Sequence, residues 1–248
     1  MSRPLRTILV GAGGRMGLAL EQAVARDGGF DLVHRVGRAN LAALEADLPA
    51  LRADLLIDFS SAEALREVAR LCGLNRLPLL SGTTGLTAQS HEELGRAAQQ
   101  APVLHTANTS LGVAMLRRLV TLTSRALPAS FDIEVVETHH RLKKDAPSGT
   151  AKLLAEAALQ GRAEASLLEG ARFGDFAPRT PGEIGMAAIR GGDVIGEHTV
   201  HFLGDGERIE LTHRATDRSL FASGALTAGR WLVHQPAGRY TMDNLFGG

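Results

Sequence analysis

Thr7-Ile8-Leu9-Val10-Gly11-Ala12-Gly13-Gly14-Arg15-Met16-Gly17 passes from a short apolar run, through a glycine cluster, into a helical pattern. Four strand-forming residues without polar alternation predict a strand covered on both faces, as in a parallel sheet. Glycines at the following turn let the backbone bend sharply and approach a pyrophosphate, which rests on the free N–H groups of the helix start. The usual G-x-G-x-x-G spacing would put its third glycine at Met16, so Gly11, Gly14 and Gly17 form a G-x-x-G-x-x-G variant. Any tight turn favours glycine. Placement at the first strand–helix turn is what makes dinucleotide binding the reading.

Outward from this turn, short apolar runs alternate with amphipathic stretches. Leu32–Val36, Leu55–Phe59, Pro78–Leu80 and Val103–Thr106 read as further buried strands. Met16–Arg26, Ala62–Leu74 and Ala88–Gln100 read as helices, with a weaker one at Ala39–Leu48. Such alternation predicts a parallel, doubly wound α/β sheet of the Rossmann type. After a helix at Gly112–Ala126 the texture changes. A long strand at Phe131–Thr138 precedes a helix over Thr150–Gln160, a loop-like stretch at 161–184, and strands at Gly185–Arg190, Asp193–Phe202 and Glu207–Arg214. Gly191-Gly192 and Gly204-Asp205-Gly206 separate these last three as hairpin turns would. The second half is therefore expected to be α+β, a meander in a mixed or antiparallel sheet. Leu220–Val233 reads as a final helix that packs back on the first domain. The predicted boundaries are 1–110 with 218–248 for dinucleotide binding, and 111–217 for substrate binding and oligomerisation.

The end of the second strand normally carries an acid for the ribose 2′-hydroxyl of NAD. This chain has Val33-His34-Arg35-Val36-Gly37-Arg38 instead, and guanidinium groups suit a 2′-phosphate. NADPH is the expected cofactor, with NADH as the alternative. Ser81-Gly82-Thr83-Thr84-Gly85 and Thr106-Ala107-Asn108-Thr109-Ser110 end two other strands, where ligands of parallel sheets bind. Ordinary turn chemistry uses the same residue types.

The 248 residues suffice for one large domain or two modest ones. Basic and acidic side chains number 27 each, so no global field draws the chain to nucleic acid or an anionic membrane. No apolar run reaches the eighteen or so residues of a membrane span, and no signal peptide opens the sequence. The one cysteine, Cys72, excludes an internal disulfide and sits in a helical pattern as a structural thiol. A cytoplasmic protein is expected.

Three lysines stand against 24 arginines, and all three fall together: Lys143, Lys144 and Lys152. They lie in or beside Glu137-Thr138-His139-His140-Arg141-Leu142-Lys143-Lys144-Asp145-Ala146-Pro147-Ser148-Gly149-Thr150-Ala151. A lysine can yield a proton where arginine cannot. Adjacent histidines on an extended chain point in different directions, so one can face a pocket while the other braces it. Metal ligation is disfavoured because Lys143 would repel a cation and no third ligand has a recognised spacing. Ser148 or Thr150 caps the next helix. The amides of Gly149 and Thr150 then form a carboxylate cradle. Imidazole, ammonium and helix start together suit a small dianion that needs a proton.

The Glu-x-His-His-x-x-Lys-x-Asp-Ala-Pro-Ser-Gly-Thr-Ala stretch closely resembles the 4-hydroxy-tetrahydrodipicolinate reductase (dihydrodipicolinate reductase) family. The resemblance extends over nearly the whole chain, through Gly11–Gly17, Gly82–Gly85, Ala107-Asn108, Arg190–His198 and Tyr240–Leu245. It implies that His139 donates a proton and Lys143 assists. It also implies that His140, Gly149 and Thr150 hold substrate carboxylates, with Ser148 a further substrate-binding residue at the same helix start. Cofactor contacts are implied at Gly11, Ala12, Gly13, Gly14, Arg15, Met16, Gly82, Thr83, Thr84, Thr106, Ala107, Asn108 and Thr109, joined by Arg38 from the reading above. A small dicarboxylate imine as substrate and a homotetramer built on the second sheet are implied too, with no metal. Gly37 departs from the acid that many members carry, and the connection between second and third strands is shorter. Two other readings are a non-catalytic redox sensor and a reductase of another small imino acid.

Overall fold

The computed structural model describes residues 3–162, 166–167, 172, 174–175 and 178–247. Two compact units emerge: Met1–Leu111 with Ser219–Gly248, and Gly112–Arg218. In the first unit β1 (Leu5–Val10), α1 (Arg15–Asp27), β2 (Phe30–Val36), α2 (Leu44–Leu51), β3 (Leu55–Asp58), α3 (Ala62–Asn75), β4 (Leu79–Ser81), α4 (Ala88–Ala98) and β5 (Pro102–His105) alternate. The weak helix expected at Ala39–Leu48 is divided. A single 3₁₀ turn at Leu41–Ala43 leads into α2.

The chain returns to this unit with α7 (Ser219–Leu232) and a short strand, β11 (Gly238–Tyr240), which pairs in parallel with β5. The sheet order is β11-β5-β4-β3-β1-β2, parallel throughout. Ile8, Val10, Leu56, Leu79 and Val103 bury one face against Leu65, Val68 and Leu94 of α3 and α4. The alternate row, Leu9, Leu55, Ile57, Leu80 and Leu104, is equally buried. On that side α7 comes so close that a Cβ on Gly229 would lie 2.7 Å from Leu55 Cδ2. Fully burying such a side chain contributes about 1.5–3 kcal/mol. Coverage on both faces explains why these strands read as continuous apolar runs. Cys72 is buried in this core, and burial pushes its thiol up, as suits a structural group.

The second unit holds α5 (Leu111–Ala126), β6 (Asp132–His139), α6 (Gly149–Gly161), the two-residue β7 (Ser166–Leu167), β8 (Glu183–Arg190), β9 (Gly196–Gly204) and β10 (Glu207–Ala215). Of the stretch expected as loop, 161–184, residues 163–165, 168–171, 173 and 176–177 lie outside the described residues, and among the rest the helix α6 takes Gly161, β7 takes Ser166–Leu167 and β8 begins at Glu183. The order β10-β9-β6-β8-β7 corrects the expected meander. Among the described residues only β9 and β10 form a hairpin, and Gly191-Gly192 does not close one. Instead β6 inserts between β8 and β9, parallel to the first and antiparallel to the second. Its alternation of half-buried and buried residues fits a central strand with one covered face. Ile133 and Val135 of β6 pack with Val200 and Phe202 of β9 under Leu116 and Val120 of α5 and Leu154 and Ala158 of α6. Among the described residues no helix is long and apolar enough to cross a membrane.

Candidate active site

In the first unit the strand order reverses at β1, with β2 on one side and β3 on the other, which is where open α/β sheets bind ligands. A cavity of about 720 Å³ opens there, lined by Gly11, Gly13 and Gly14 after β1, Gly37 and Arg38 after β2, and Phe59, Ser60, Ser61, Glu63 and Ala64 after β3. Gly11 has φ +81°, and any side chain on it would strike the Phe59 carbonyl. A side chain on Gly17 would strike the carbonyls of Gly11 and Ala12. The G-x-x-G-x-x-G spacing therefore has a packing cause: α1 starts at Arg15 after Gly14, and its Gly17 rests directly on the turn. A backbone cradle shaped by missing Cβ atoms, with a guanidinium at its rim, fits a dinucleotide diphosphate.

The other expected contacts sort into two kinds. Ala12, Arg15 and Met16 belong to the turn and helix start but do not line the cavity. Gly82, Thr83 and Thr84 follow β4, and Thr106, Ala107, Asn108 and Thr109 follow β5, at the same carboxyl edge of the sheet. Thr83 is buried with its hydroxyl on Asp58 (2.7 Å), and Thr109 is buried with its hydroxyl on the Phe221 carbonyl (2.7 Å). Thr106 Oγ1 turns inward to the Asn108 carbonyl. These side chains brace the loops, so backbone groups and Thr84, which is exposed, are what the loops offer a ligand.

Asp58, unforeseen from the sequence, organises this edge. It is wholly buried and accepts hydrogen bonds from Ser60 (2.5 Å), Ser81 (2.8 Å) and Thr83, tying the loops after β3 and β4 together. Burial raises its carboxyl above the ordinary range, against the pull of these three hydroxyls. An acid closing an otherwise apolar strand was the available signal. Arg35 is committed elsewhere, on Glu21 at 2.8 Å, which leaves Arg38 as the guanidinium of the cavity.

In the second unit His139 ends β6, and Glu137 lies two residues before it on the same buried face. Glu137 Oε2 meets His139 Nδ1, and Arg190 of β8 grips both carboxylate oxygens, at 2.7 and 3.0 Å. The Ser148 N–H donates to Glu137 Oε1 at 3.1 Å. Ser148 is the N-cap of α6, accepting from the Ala151 N–H, a device worth about 1 kcal/mol. His198 of β9 sets its Nε2 3.2 Å from Ser148 Oγ and its ring edge-on to His139, with centroids 5.1 Å apart. The structure thus draws His139 and Ser148 into one buried network and places Gly149 and Thr150 in the first turn of α6. His140 is half-buried, its N–H on the Val194 carbonyl at 2.7 Å. Lys143 pairs with Asp145 at 2.9 Å, a rim contact worth little in stability.

Glu137, Arg190 and His198 escaped the sequence reading as members of this cluster. The two-residue spacing of Glu137 and His139 on a strand was a signal for the first. For the other two, 53 and 61 residues beyond Glu137, only the pairing of β6 with β8 and β9 brings them in.

Burial lowers the His139 imidazole below its usual value, with Lys143 and Arg190 adding to the effect and Glu137 opposing it. Burial pushes Glu137 up, yet Arg190, His139 and the Ser148 N–H outweigh it, so the carboxyl falls below its ordinary range and is ionised at neutral pH. Burial, then the neighbouring His139, lowers His198 to about 4, so it is neutral. Glu137, His139 and His198 turn polar atoms toward one another, but Arg190 already compensates the carboxylate, and the set is a hydrogen-bonded network.

A doubly wound sheet with a glycine cradle at its switch point, carried with a second unit holding a buried histidine cluster, defines a two-domain nicotinamide-dinucleotide-dependent oxidoreductase. The chain belongs to the dihydrodipicolinate reductase family. The family's N-terminal model ("Dihydrodipicolinate reductase, N-terminus") matches residues 5–109 and its C-terminal model ("Dihydrodipicolinate reductase, C-terminus") residues 112–246. A 4-hydroxy-tetrahydrodipicolinate reductase of Zymomonas mobilis is 45% identical over 244 residues, covering 96% of either chain. One from Myxococcus xanthus is 40% identical over 266 residues, 98% of either chain. A solved dipicolinate-bound dihydrodipicolinate reductase from Paenisporosarcina sp. TG-14 shares the fold with TM-score 0.78 at 24% identity, over 98% of this chain and 99% of that one.

Proposed function

We propose that the chain reduces 4-hydroxy-tetrahydrodipicolinate to tetrahydrodipicolinate, with loss of water, in the cytoplasmic synthesis of diaminopimelate and lysine. Residues 1–110 with 218–248 bind the dinucleotide, and 111–217 bind substrate and assemble a homotetramer. The observation that carries this reading is the junction of His139 with the capped start of α6 through Glu137, on a chain with full-length relatives of that activity.

The glycine cradle of Gly11 to Gly14, with Met16 and Arg15 behind it, holds the diphosphate. Arg38 pairs with a 2′-phosphate, so NADPH is preferred to NADH. The loops Gly82–Thr84 and Thr106–Thr109 border the nicotinamide end, held in shape by Asp58 and the Phe221 carbonyl. When bound, the dinucleotide supplies a hydride to C4 of the ring.

The first amides of α6, at Gly149 and Thr150, receive one substrate carboxylate, with Ser148 fixing their geometry; His140 and Lys143 attend the charge of the ring. Each charge-assisted contact contributes roughly 1.5–3 kcal/mol. Substrate carboxylates near His139 favour its imidazolium form against the effect of burial. The 4-hydroxy ring first loses water across C3 and C4 to give a conjugated imine; as C4 of that imine is reduced, electron density shifts toward the ring nitrogen and C3 takes a proton from His139. General acid catalysis of this kind is typically worth about 10²–10⁴-fold. Lys143 stabilises the developing negative charge.

Purified protein is expected to oxidise NADPH when given freshly made product of the synthase reaction, and His139→Gln to slow turnover by roughly 10²-fold or more with little change in the Michaelis constant for NADPH. NADPH binding without turnover would instead establish a redox sensor. Faster turnover of another cyclic imine would reassign the substrate.

A further inference from the structure

We infer that Glu137 is the positioning residue of the acid: it holds His139 in the tautomer with hydrogen on Nδ1, so that Nε2 is the atom that carries the transferred proton. The inference deepens the reading above and rests on His139 acting as proton donor.

A carboxylate accepts and cannot donate, so its contact with Nδ1 requires hydrogen on that nitrogen. In the neutral ring Nε2 then bears the lone pair, and in the imidazolium it bears the labile proton. Glu137 is itself held from several sides. Its side chain is fully buried, with Arg190 on both oxygens and the Ser148 N–H on one. Three donors besides the imidazole leave the carboxylate no second orientation, and through it they leave the ring none.

The opposite edge of the ring is kept clear by a glycine. A Cβ on Gly196, at the start of β9, would stand 3.0 Å from His139 Nε2. The same carboxylate fixes the α6 start through Ser148, so one buried group sets both the acid and the carboxylate cradle. A fixed distance between proton donor and anion site is what general acid catalysis on a dianion requires.

The charged and titratable groups facing His139 are Glu137 on its own strand, Arg190 on β8, His198 on β9 and Lys143 on the following loop. Glu137→Gln removes the one anion among them and leaves Arg190 uncompensated. Both changes disfavour the imidazolium, so the alkaline limb of the pH profile moves to lower pH.

The deciding experiment pairs two measurements. Nitrogen-15 histidine spectra of the unsubstituted protein, with the His139 signals assigned by His139→Gln, are expected to show a protonated Nδ1 and a bare Nε2 above the titration of the ring. A protonated Nε2 overturns the inference, and this result is independent of whether any variant folds or any substrate turns over. In Glu137→Gln, kcat is expected to fall by roughly 10²-fold, the Michaelis constant for NADPH to hold, and the alkaline limb of kcat/KM to shift downward. A variant with unshifted pH dependence, whatever its kcat, reduces Glu137 to a packing role and overturns the assignment. Loss of substrate turnover in the unsubstituted protein would defeat the proposed reaction, while the spectra would still report the tautomer.

Discussion

Arg35 and Arg38 show how little separates a binding group from a surface one. They sit three apart beside the same turn, yet Glu21 takes the first and the cavity receives the second. Arg38→Ala is expected to raise the Michaelis constant for NADPH by about tenfold or more while that for NADH changes little, since a lost charge-assisted contact is worth roughly 1.5–3 kcal/mol. Arg35→Ala should affect both cofactors alike; steady-state kinetics with each cofactor separates the cases. His198 carries a stability prediction. Its pKa of about 4 in the fold lies below the ordinary value near 6.5, so between these limits the unfolded chain binds the extra proton. Stability is therefore present above about pH 6.5 and lost as pH falls toward about 4, by up to roughly 3 kcal/mol. Glu137, whose pKa is also lowered, adds a loss of the same sign at lower pH, below its ordinary carboxyl value. The drop in urea midpoint from pH 7 to pH 5 should be smaller in His198→Asn than in the parent, and equal drops would refute this. The acid–imidazole pair left a signal in the residues themselves, two apart at a strand end, although Glu137 was assigned no role from sequence. Arg190 left none, because no local pattern joins it to Glu137.

Elements were read well wherever one helix or strand determines its own pattern. The expected β1 and α1 lie inside the observed ones, and α3 ends one residue later than its periodicity indicates. Two failures have physical causes. A three-residue strand such as β11 has too few side chains to show a period, and it exists because the β5 edge was available to pair. The apparent β8–β9 hairpin failed because glycines mark any tight turn, while the choice of partner belongs to the sheet. Contacts between elements also decide what a glycine substitution does. In α7, a Cβ on Gly224 would collide with the Thr109 carbonyl, so Gly224→Ala must push the helix from the loop after β5. A loss of about 1–3 kcal/mol is expected, with weaker dinucleotide binding by titration. In α4, a methyl group on Gly95 would meet nothing within 4 Å, and Gly95→Ala should stabilise by up to about 1 kcal/mol. Thermal melts that rank the two alike would refute the contact argument.

At the scale of the whole molecule the second sheet has one face packed under α5 and α6, while on the other, among the described residues, Arg172 and Arg179 cover Glu134 and Glu183 at one end and leave Ala187 and Thr212 exposed. Beyond these ion pairs Ala187, Val136, Thr199 and Thr212 stand in register as one row, half-buried at Val136 and Thr199 and exposed at its ends, and Ile189 nearby is 52% exposed. A row of small, uncharged residues with exposed ends suits association with other copies, which supports the proposed tetramer. Ala187→Glu, at an exposed position, should leave the fold intact by circular dichroism and lower the sedimenting mass; an unchanged mass would place the assembly surface elsewhere. Alone, the amino-acid order determined the strand–helix alternation, the glycine cradle, a capped helix start at Ser148 or Thr150 and the histidine at the end of β6. Each of these depends on neighbours within a few residues, where backbone sterics and side-chain periodicity act directly. Tertiary structure alone decided that β6 would lie between β8 and β9, that Asp58 would gather Ser81 and Thr83, and that Arg190 would compensate Glu137. Those outcomes depend on which buried surfaces and unpaired backbone groups meet across tens of residues, and only the packed whole selects among the candidates.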